Sequence, residues 1–224
     1  MTKVRVIEIN EDVFSSKLND ALEIRRLLKE QGTYMLNVMS SPGSGKTTTL
    51  CNLINILKKS LNIGVMDVDI KTNIDAKKIS DMTGVKSLQI NNGGLCHIDA
   101  NMTKRAIEAF DLTGLDLLIL ENIGNLVCPA EFDTGAIKNM MILSVPEGDD
   151  KPLKYPLMFT VSDIVLINKI DTLPIFDFDI DKAKAEILNL NPNAKIIPIS
   201  AKTGEGLEQL ADLIMNEVIE FKKC

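Results

Sequence analysis

Ser40-Ser41-Pro42-Gly43-Ser44-Gly45-Lys46-Thr47 is the stretch on which the reading of this chain turns. The phosphate-binding loop has Gly, four residues, then Gly-Lys-[Ser/Thr], and here Ser40 stands where the first Gly usually stands. The chemistry survives that change. Gly43 and Gly45 let the backbone turn its N–H groups inward, and the helix that follows adds the positive end of its dipole. Lys46 would neutralise the β- and γ-phosphates, and Thr47 would offer its hydroxyl to Mg²⁺. Ser44 and Thr48 complete the set expected to cradle a nucleotide. The competing reading is a Ser-Gly turn with an exposed lysine. The apolar run before the loop and the helical pattern after it count against that.

Working outward, residues 34–39 read as a short apolar strand and 45–59 as a helix. The alternation continues through strands at 63–68, 86–90, 115–120, 139–145, 163–167 and 195–199. Helical patterns occupy 75–82, 100–110, 181–189 and 207–221. Upstream, Val13, Leu18, Ala21, Leu22, Ile24, Leu27 and Leu28 recur at helical spacing over 10–31, and Gly32 follows as a stop. Short β-branched strands alternating with helices predict an α/β, doubly wound, mostly parallel sheet of the P-loop NTPase type, with an extra N-terminal helix. Ligands are expected at the carboxyl ends of the strands. No repeat or Pro/Gly-rich linker divides the chain, so 1–224 reads as a single domain, with a helix at 10–31 and the nucleotide core at 34–224.

Composition narrows the partners. A net charge of −6 over 224 residues argues against non-specific binding to nucleic acid or to an anionic membrane. No apolar run approaches the roughly 18 residues that span a bilayer, so no membrane partner is expected. The alternating Met1-Thr2-Lys3-Val4-Arg5 start does not read as a secretion signal, and a cytoplasmic location is the expectation. The cysteines at 51, 96, 128 and 224 form no Cys-x-x-Cys pair, which suits reduced, buried or metal-binding thiols.

Asn168-Lys169-Ile170-Asp171 follows the apolar strand Ile164-Val165-Leu166-Ile167. The Asp171 carboxylate can accept from both N1–H and N2–H₂ of guanine. Adenine offers neither, and an unmatched buried carboxylate costs on the order of 1–3 kcal/mol or more. Asn168 would shape the pocket and the aliphatic stem of Lys169 would cover the ring. Ser200-Ala201-Lys202 follows the last strand, where the Ala201 N–H can donate to guanine O6. Both motifs in this order after a phosphate loop point to GTP rather than ATP. Glu121, at the end of the strand Leu117-Leu118-Ile119-Leu120, can hold Mg²⁺ through water. Asp69 and Asp75 are candidates for Mg²⁺ ligation or for orienting the attacking water, a helix cap being the other reading of Asp75. With Lys46 and Glu121 they form the expected catalytic set. No glutamine stands ready to position water, so slow intrinsic turnover is expected.

The chain's single histidine, His97, directly follows Cys96, and Cys128 lies beyond another strand end. Two thiolates and an imidazole suit Ni²⁺ or Zn²⁺. For ligands so scattered, small buried thiols and a core histidine would ordinarily be the reading.

The phosphate loop, Cys96-His97, Glu121-Asn122-Ile123-Gly124-Asn125-Leu126-Val127-Cys128-Pro129-Ala130 and Ser144-Val145-Pro146-Glu147-Gly148-Asp149-Asp150-Lys151-Pro152 together resemble the hydrogenase nickel-incorporation GTPases of the HypB type, a SIMIBI-class P-loop family. Ser40 in place of Gly is itself typical of that family. The resemblance implies a GTP-dependent homodimer that delivers nickel to the [NiFe]-hydrogenase large subunit, with a companion nickel metallochaperone. It also implies that Cys96, His97 and Cys128 form a Ni/Zn site shared at the dimer interface. Many relatives carry a second histidine four residues after the first; here that place is Asn101. No histidine-rich or Cys-x-x-Cys N-terminal segment appears, so neither nickel storage nor a separate tight N-terminal site is implied. Competing readings are a urease-type nickel-delivery GTPase, which uses Cys-Pro-His, and a metal-independent regulatory GTPase switch.

Overall fold

A central phosphate-loop strand fixes the architecture. In the computed structural model, which describes residues 5–8, 17–69 and 74–223, strand β2 (Tyr34–Ser40) is buried along its whole length. β2 lies between β5 (Leu117–Gly124) and β6 (Lys138–Ser144). The remaining strands are β1 (Arg5–Glu8), β3 (Ile63–Asp69), β4 (Lys86–Asn91), β7 (Ile164–Asn168) and β8 (Lys195–Pro198). They form an eight-stranded sheet in the order β1-β4-β3-β5-β2-β6-β7-β8. Every pairing in it is parallel, which sharpens the "mostly parallel" expectation.

Parallel strands need crossovers, and those crossovers place helices on both faces. On one face, Val38, Val65, Ile119 and Ile142 pack with α2 (Lys46–Leu57), α3 (Ile74–Thr83) and α9 (Leu207–Lys223). On the other face, Met35, Met66, Leu88 and Leu118 pack with α1 (Lys17–Gln31) and α4 (Ala100–Phe110). Met39, Met141 and Val165 on that same side meet α7 (Pro156–Thr160) and α8 (Ile180–Leu190). Asp99 caps α4 by accepting from Met102 N at 3.0 Å, and Asp179 caps α8.

Boundaries differ from the sequence pattern where turns intervene. The strand expected at 115–120 starts at Leu117, because Leu115 N–H turns back to Leu112 O and the Asp116 carboxylate accepts from Asn62 N. It runs on to Gly124, which pairs with Ser40 of β2. The strand expected at 139–145 stops at Ser144, since Val145 opens a 3₁₀ turn containing Pro146. Three short helices went unforeseen: α5 (Cys128–Glu131), α6 (Lys151–Lys154) and α7. Each has Pro in its first turn, where a missing N–H costs nothing. Edge strand β1 was also unforeseen, although its alternation suits a half-covered edge. The helix expected over 10–31 is observed from Lys17; residues 9–16 lie outside the described residues.

Candidate functional site

The sheet order leaves a crevice at the carboxyl end of β2, where the chain continues to opposite sides of the sheet. The loop there adopts the backbone its glycines permit. Gly43 has φ 75° and Gly45 φ 96°. A Cβ on Gly45 would come to 2.5 Å from Asn168 Nδ2, so no other residue fits. Gly124 lets β5 approach the loop closely: a Cβ there would meet Pro42 N at 3.1 Å. The resulting cleft holds about 420 Å³ and is lined by the loop residues together with Gly124 and Lys78.

Lys46 and Thr47 converge on one carboxylate oxygen. Lys46 Nζ is 3.2 Å and Thr47 Oγ1 2.8 Å from Glu121 Oε1. Glu121 is fully buried, and its Oε2 has no hydrogen-bond partner among the described residues. A buried carboxylate oxygen left unmatched beside a threonine hydroxyl is a donor set suited to a hydrated divalent cation, so these residues fit Mg²⁺. Asp69 closes β3 and Asp75 is the second residue of α3. Their side chains lie outside the described part of the structure.

The guanine-type motifs are tied to the loop by a chain of hydrogen bonds. Asn168, at the end of β7, donates from Nδ2 to Ser44 O at 2.8 Å. Lys169 Nζ donates to Gly43 O at 2.7 Å, so its stem crosses the mouth of the pocket. Lys169 itself holds φ 64°, a left-handed conformation that non-glycine residues keep only where the surroundings impose it. Ser200 Oγ donates to Asp171 Oδ1 at 2.7 Å and accepts from Thr203 N at 3.1 Å. One detail departs from expectation. The Ala201 N–H assigned to guanine O6 donates instead to Asn168 Oδ1 at 3.0 Å, because the buried Asn168 amide must satisfy its acceptor as well as its donor. Lys202, beside it, is exposed.

Two braces were not foreseen. Glu147 accepts from the Ser41 hydroxyl, and from Ser144 N and Oγ at 2.8 and 2.6 Å, which couples the 3₁₀ turn after β6 to the start of the phosphate loop. Beneath the loop, Asn122 donates to Asn37 at 3.0 Å and Asn37 to Asn139 at 2.9 Å, across β5, β2 and β6. The Ser-x-x-Glu spacing of a capping box was the available signal for Glu147. The asparagines gave none, since only strand register brings them into line.

On the adjoining part of the same edge, the segments leaving β4 and β5 on either side of β3 meet. Cys96 Sγ and Cys128 Sγ are 2.7 Å apart. Both are free thiols, and the hydrogen bond to Cys128 holds the Cys96 proton above the ordinary thiol range. His97 Nδ1 lies 3.9 Å from Cys96 Sγ. The His97 ring is buried and stacked on Phe132, centroids 3.6 Å apart and planes at 7°. Asn92 Nδ2 fixes its backbone by donating to His97 O at 2.8 Å. The structure thus pairs the two thiols and keeps the imidazole beside them. Among the described residues, no group of three or more His, Cys, Asp or Glu side chains is arranged to hold a metal ion. Of the other cysteines, Cys51 is buried in α2 and Cys224 lies outside the described residues.

Comparison with known proteins identifies the family and the fold. The family model "CobW/HypB/UreG, nucleotide-binding domain" matches residues 34–198. The hydrogenase maturation factor HypB of Rhizobium leguminosarum bv. viciae is 44% identical over 208 residues, covering 93% of this chain and 69% of that protein. The hydrogenase/urease maturation factor HypB of Helicobacter pylori is 40% identical over 215 residues, covering 94% and 88%. The crystal structure of HypB from Helicobacter pylori in complex with nickel superposes with a TM-score of 0.87 at 40% identity, covering 92% of this chain and 96% of that one.

Proposed function

Because the chain belongs to the CobW/HypB/UreG family, and is 40–44% identical to HypB maturation factors within it, we propose that it is a GTPase that delivers nickel during maturation of [NiFe]-hydrogenase. The observation that carries this reading is a single stretch of backbone. β5 carries Glu121, which faces Lys46 and Thr47, and runs on to Gly124; after three intervening residues of the same chain α5 begins on Cys128, whose thiol meets Cys96. A change on the phosphate side is therefore felt where the metal would sit.

GTP binds with its phosphates on the Gly43–Gly45 backbone and the Lys46 ammonium, and with guanine read by Asp171. Thr47 and Glu121 would hold Mg²⁺, which would supply charge neutralisation to the phosphates. Lys46 must leave Glu121 Oε1 to reach the phosphates, and that frees the carboxylate for its new role. Asp69 or Asp75 orients the attacking water. With no glutamine in that position, turnover is slow. Bound GTP orders the segments around residues 69–75 and 121–128 and favours a homodimer in which Cys96, His97 and Cys128 of each subunit hold Ni²⁺ or Zn²⁺. Loss of the γ-phosphate moves Cys128 relative to Cys96 and weakens the hold on the cargo, which passes towards the hydrogenase large subunit with the help of a companion metallochaperone. These steps suit the cytoplasm, and among the described residues no helix is long and apolar enough to cross a membrane.

Nickel titration of the protein with a non-hydrolysable GTP analogue and with GDP tests the coupling. The two affinities should differ by about 5–150-fold, the range of ordinary site-to-site coupling. Equal affinities would defeat it. Nickel delivery to urease is a second client reading, favoured by the name of the 40%-identical Helicobacter pylori relative.

A further inference from the structure

One residue of the phosphate cleft comes from neither the loop nor β5. Lys78, on α3, lines the cleft together with Ser40–Thr48 and Gly124. It is exposed, and no described side chain pairs with its ammonium. Lys46, by contrast, is committed to Glu121 Oε1.

The helix that carries Lys78 rests on a partly polar seat. α3 packs its Ala76 and Ile79 onto the sheet, yet Ser80 Oγ on the same buried side has no hydrogen-bond partner among the described residues. Gln89, in strand β4 beneath, is fully buried with both ends of its amide unmatched among the described residues. In register, Gln89 pairs with Asp67, and Asp67 with Glu121, so a row of polar residues runs from under α3 to the cation-binding carboxylate. Unmatched buried groups of this kind cost on the order of 1–3 kcal/mol each. α3 is therefore seated less firmly than a helix on a wholly apolar face. A ligand that pulls on Lys78 can re-seat it.

We propose that Lys78 is a second phosphate-binding lysine that reads the terminal phosphate of a nucleoside triphosphate, so that α3 tells triphosphate from diphosphate. The inference rests on the reading of the cleft as a GTP site and adds the residue that senses the γ-phosphate. The β-phosphate sits on the loop backbone and Lys46. The additional charge of a γ-phosphate extends beyond it, and Lys78 lines the same cleft as a cation with no partner among the described residues.

The test is equilibrium titration of the full chain with Mg²⁺ and either a non-hydrolysable GTP analogue or GDP, for wild type, Lys78→Ala, Lys78→Gln and Lys78→Arg. Lys78→Ala and Lys78→Gln should weaken the GTP analogue by about tenfold, about 1.4 kcal/mol, and leave GDP within about twofold. Lys78→Arg should restore most of the loss, and raising salt should shrink the wild-type advantage. A lysine with a merely structural role would move both nucleotides together, and that result would overturn the proposal. So would an unchanged GTP-to-GDP ratio in Lys78→Ala. If wild type binds neither nucleotide, the GTP reading itself falls, and the proposal with it.

Discussion

The phosphate loop and the Cys96–Cys128 edge are built at the same carboxyl rim of one sheet, yet they are finished to different degrees. Around the loop, Asn168, Lys169, Ser200 and Glu147 each hold a neighbouring segment, and Gly45 is so closely packed that a methyl group does not fit. At the thiol edge two sulfurs meet, the one imidazole is locked in a stack with Phe132, and the ligand set is short of a full shell. The difference follows from what each would hold. A nucleotide is gripped by backbone N–H groups, which cannot be recruited on demand and must be pre-aligned. A cargo metal has to leave again, and a site completed only by a second subunit or by water lets it do so.

The comparison can be broken at either end, and the largest effect is expected at the thiols. Cys128→Ala should lower nickel affinity by about 100-fold or more, given that structural metal sites of four ligands are worth about 10–16 kcal/mol. Guanine nucleotide affinity, read by titration in the absence of metal, should be unaffected; a parallel loss there would erase the distinction between the two regions. Gly45→Ala comes next. Left-handed strain of about 1–2 kcal/mol and displacement of the Asn168 amide, about 1–3 kcal/mol, should weaken nucleotide binding on the order of 100-fold. Normal GTP affinity in that variant would show that the loop is not pre-shaped as described.

Asp171→Asn should be milder and should also change the preferred base. The lost carboxylate costs guanine about 10–100-fold, consistent with an unmatched hydrogen bond of about 1–3 kcal/mol. Xanthine, which carries a carbonyl where guanine has its amino group, should gain because the new amide can donate to it. Competition between GTP and XTP reads this directly, and an unaltered preference would remove Asp171 from the base site. The smallest effect belongs to Phe132→Leu. Loss of the stack on His97 should lower stability by about 1 kcal/mol, the worth of one aromatic pair, and the melting temperature by about 2–4 °C. A larger drop, or none, would mean that the ring is held by something else.

How far these sites could be read without the structure depended on the kind of contact involved. The loop Ser40–Thr47 and the tetrapeptide Asn168–Asp171 are local patterns, because phosphate and guanine recognition need particular residues at fixed offsets along one turn. Cys96 and Cys128 are far apart in sequence, and their pairing follows from β4 and β5 flanking β3. Neither the engagement of Ala201 N–H by Asn168 nor the stacking of His97 on Phe132 leaves a trace in spacing. The unforeseen strand β1 is a case of length: a stretch as short as Arg5–Glu8 carries too little periodicity to stand out, and its pairing with β4 is what makes it a strand.

Sequence alone determined that strands alternate with helices, and it supplied the expectations that a loop with two glycines and a lysine binds phosphate and that an aspartate after an apolar strand selects guanine. These follow from local backbone freedom and from the hydrogen-bonding pattern of the ligand. The tertiary structure decided the rest. It set Lys46 and Thr47 on one oxygen of Glu121 and left the other oxygen without a partner among the described residues, and it brought Lys78 to the lining of the cleft around the loop. It also joined two thiols across the end of β3. Such contacts depend on strand order and register, which parallel crossovers fix only once the whole sheet has formed.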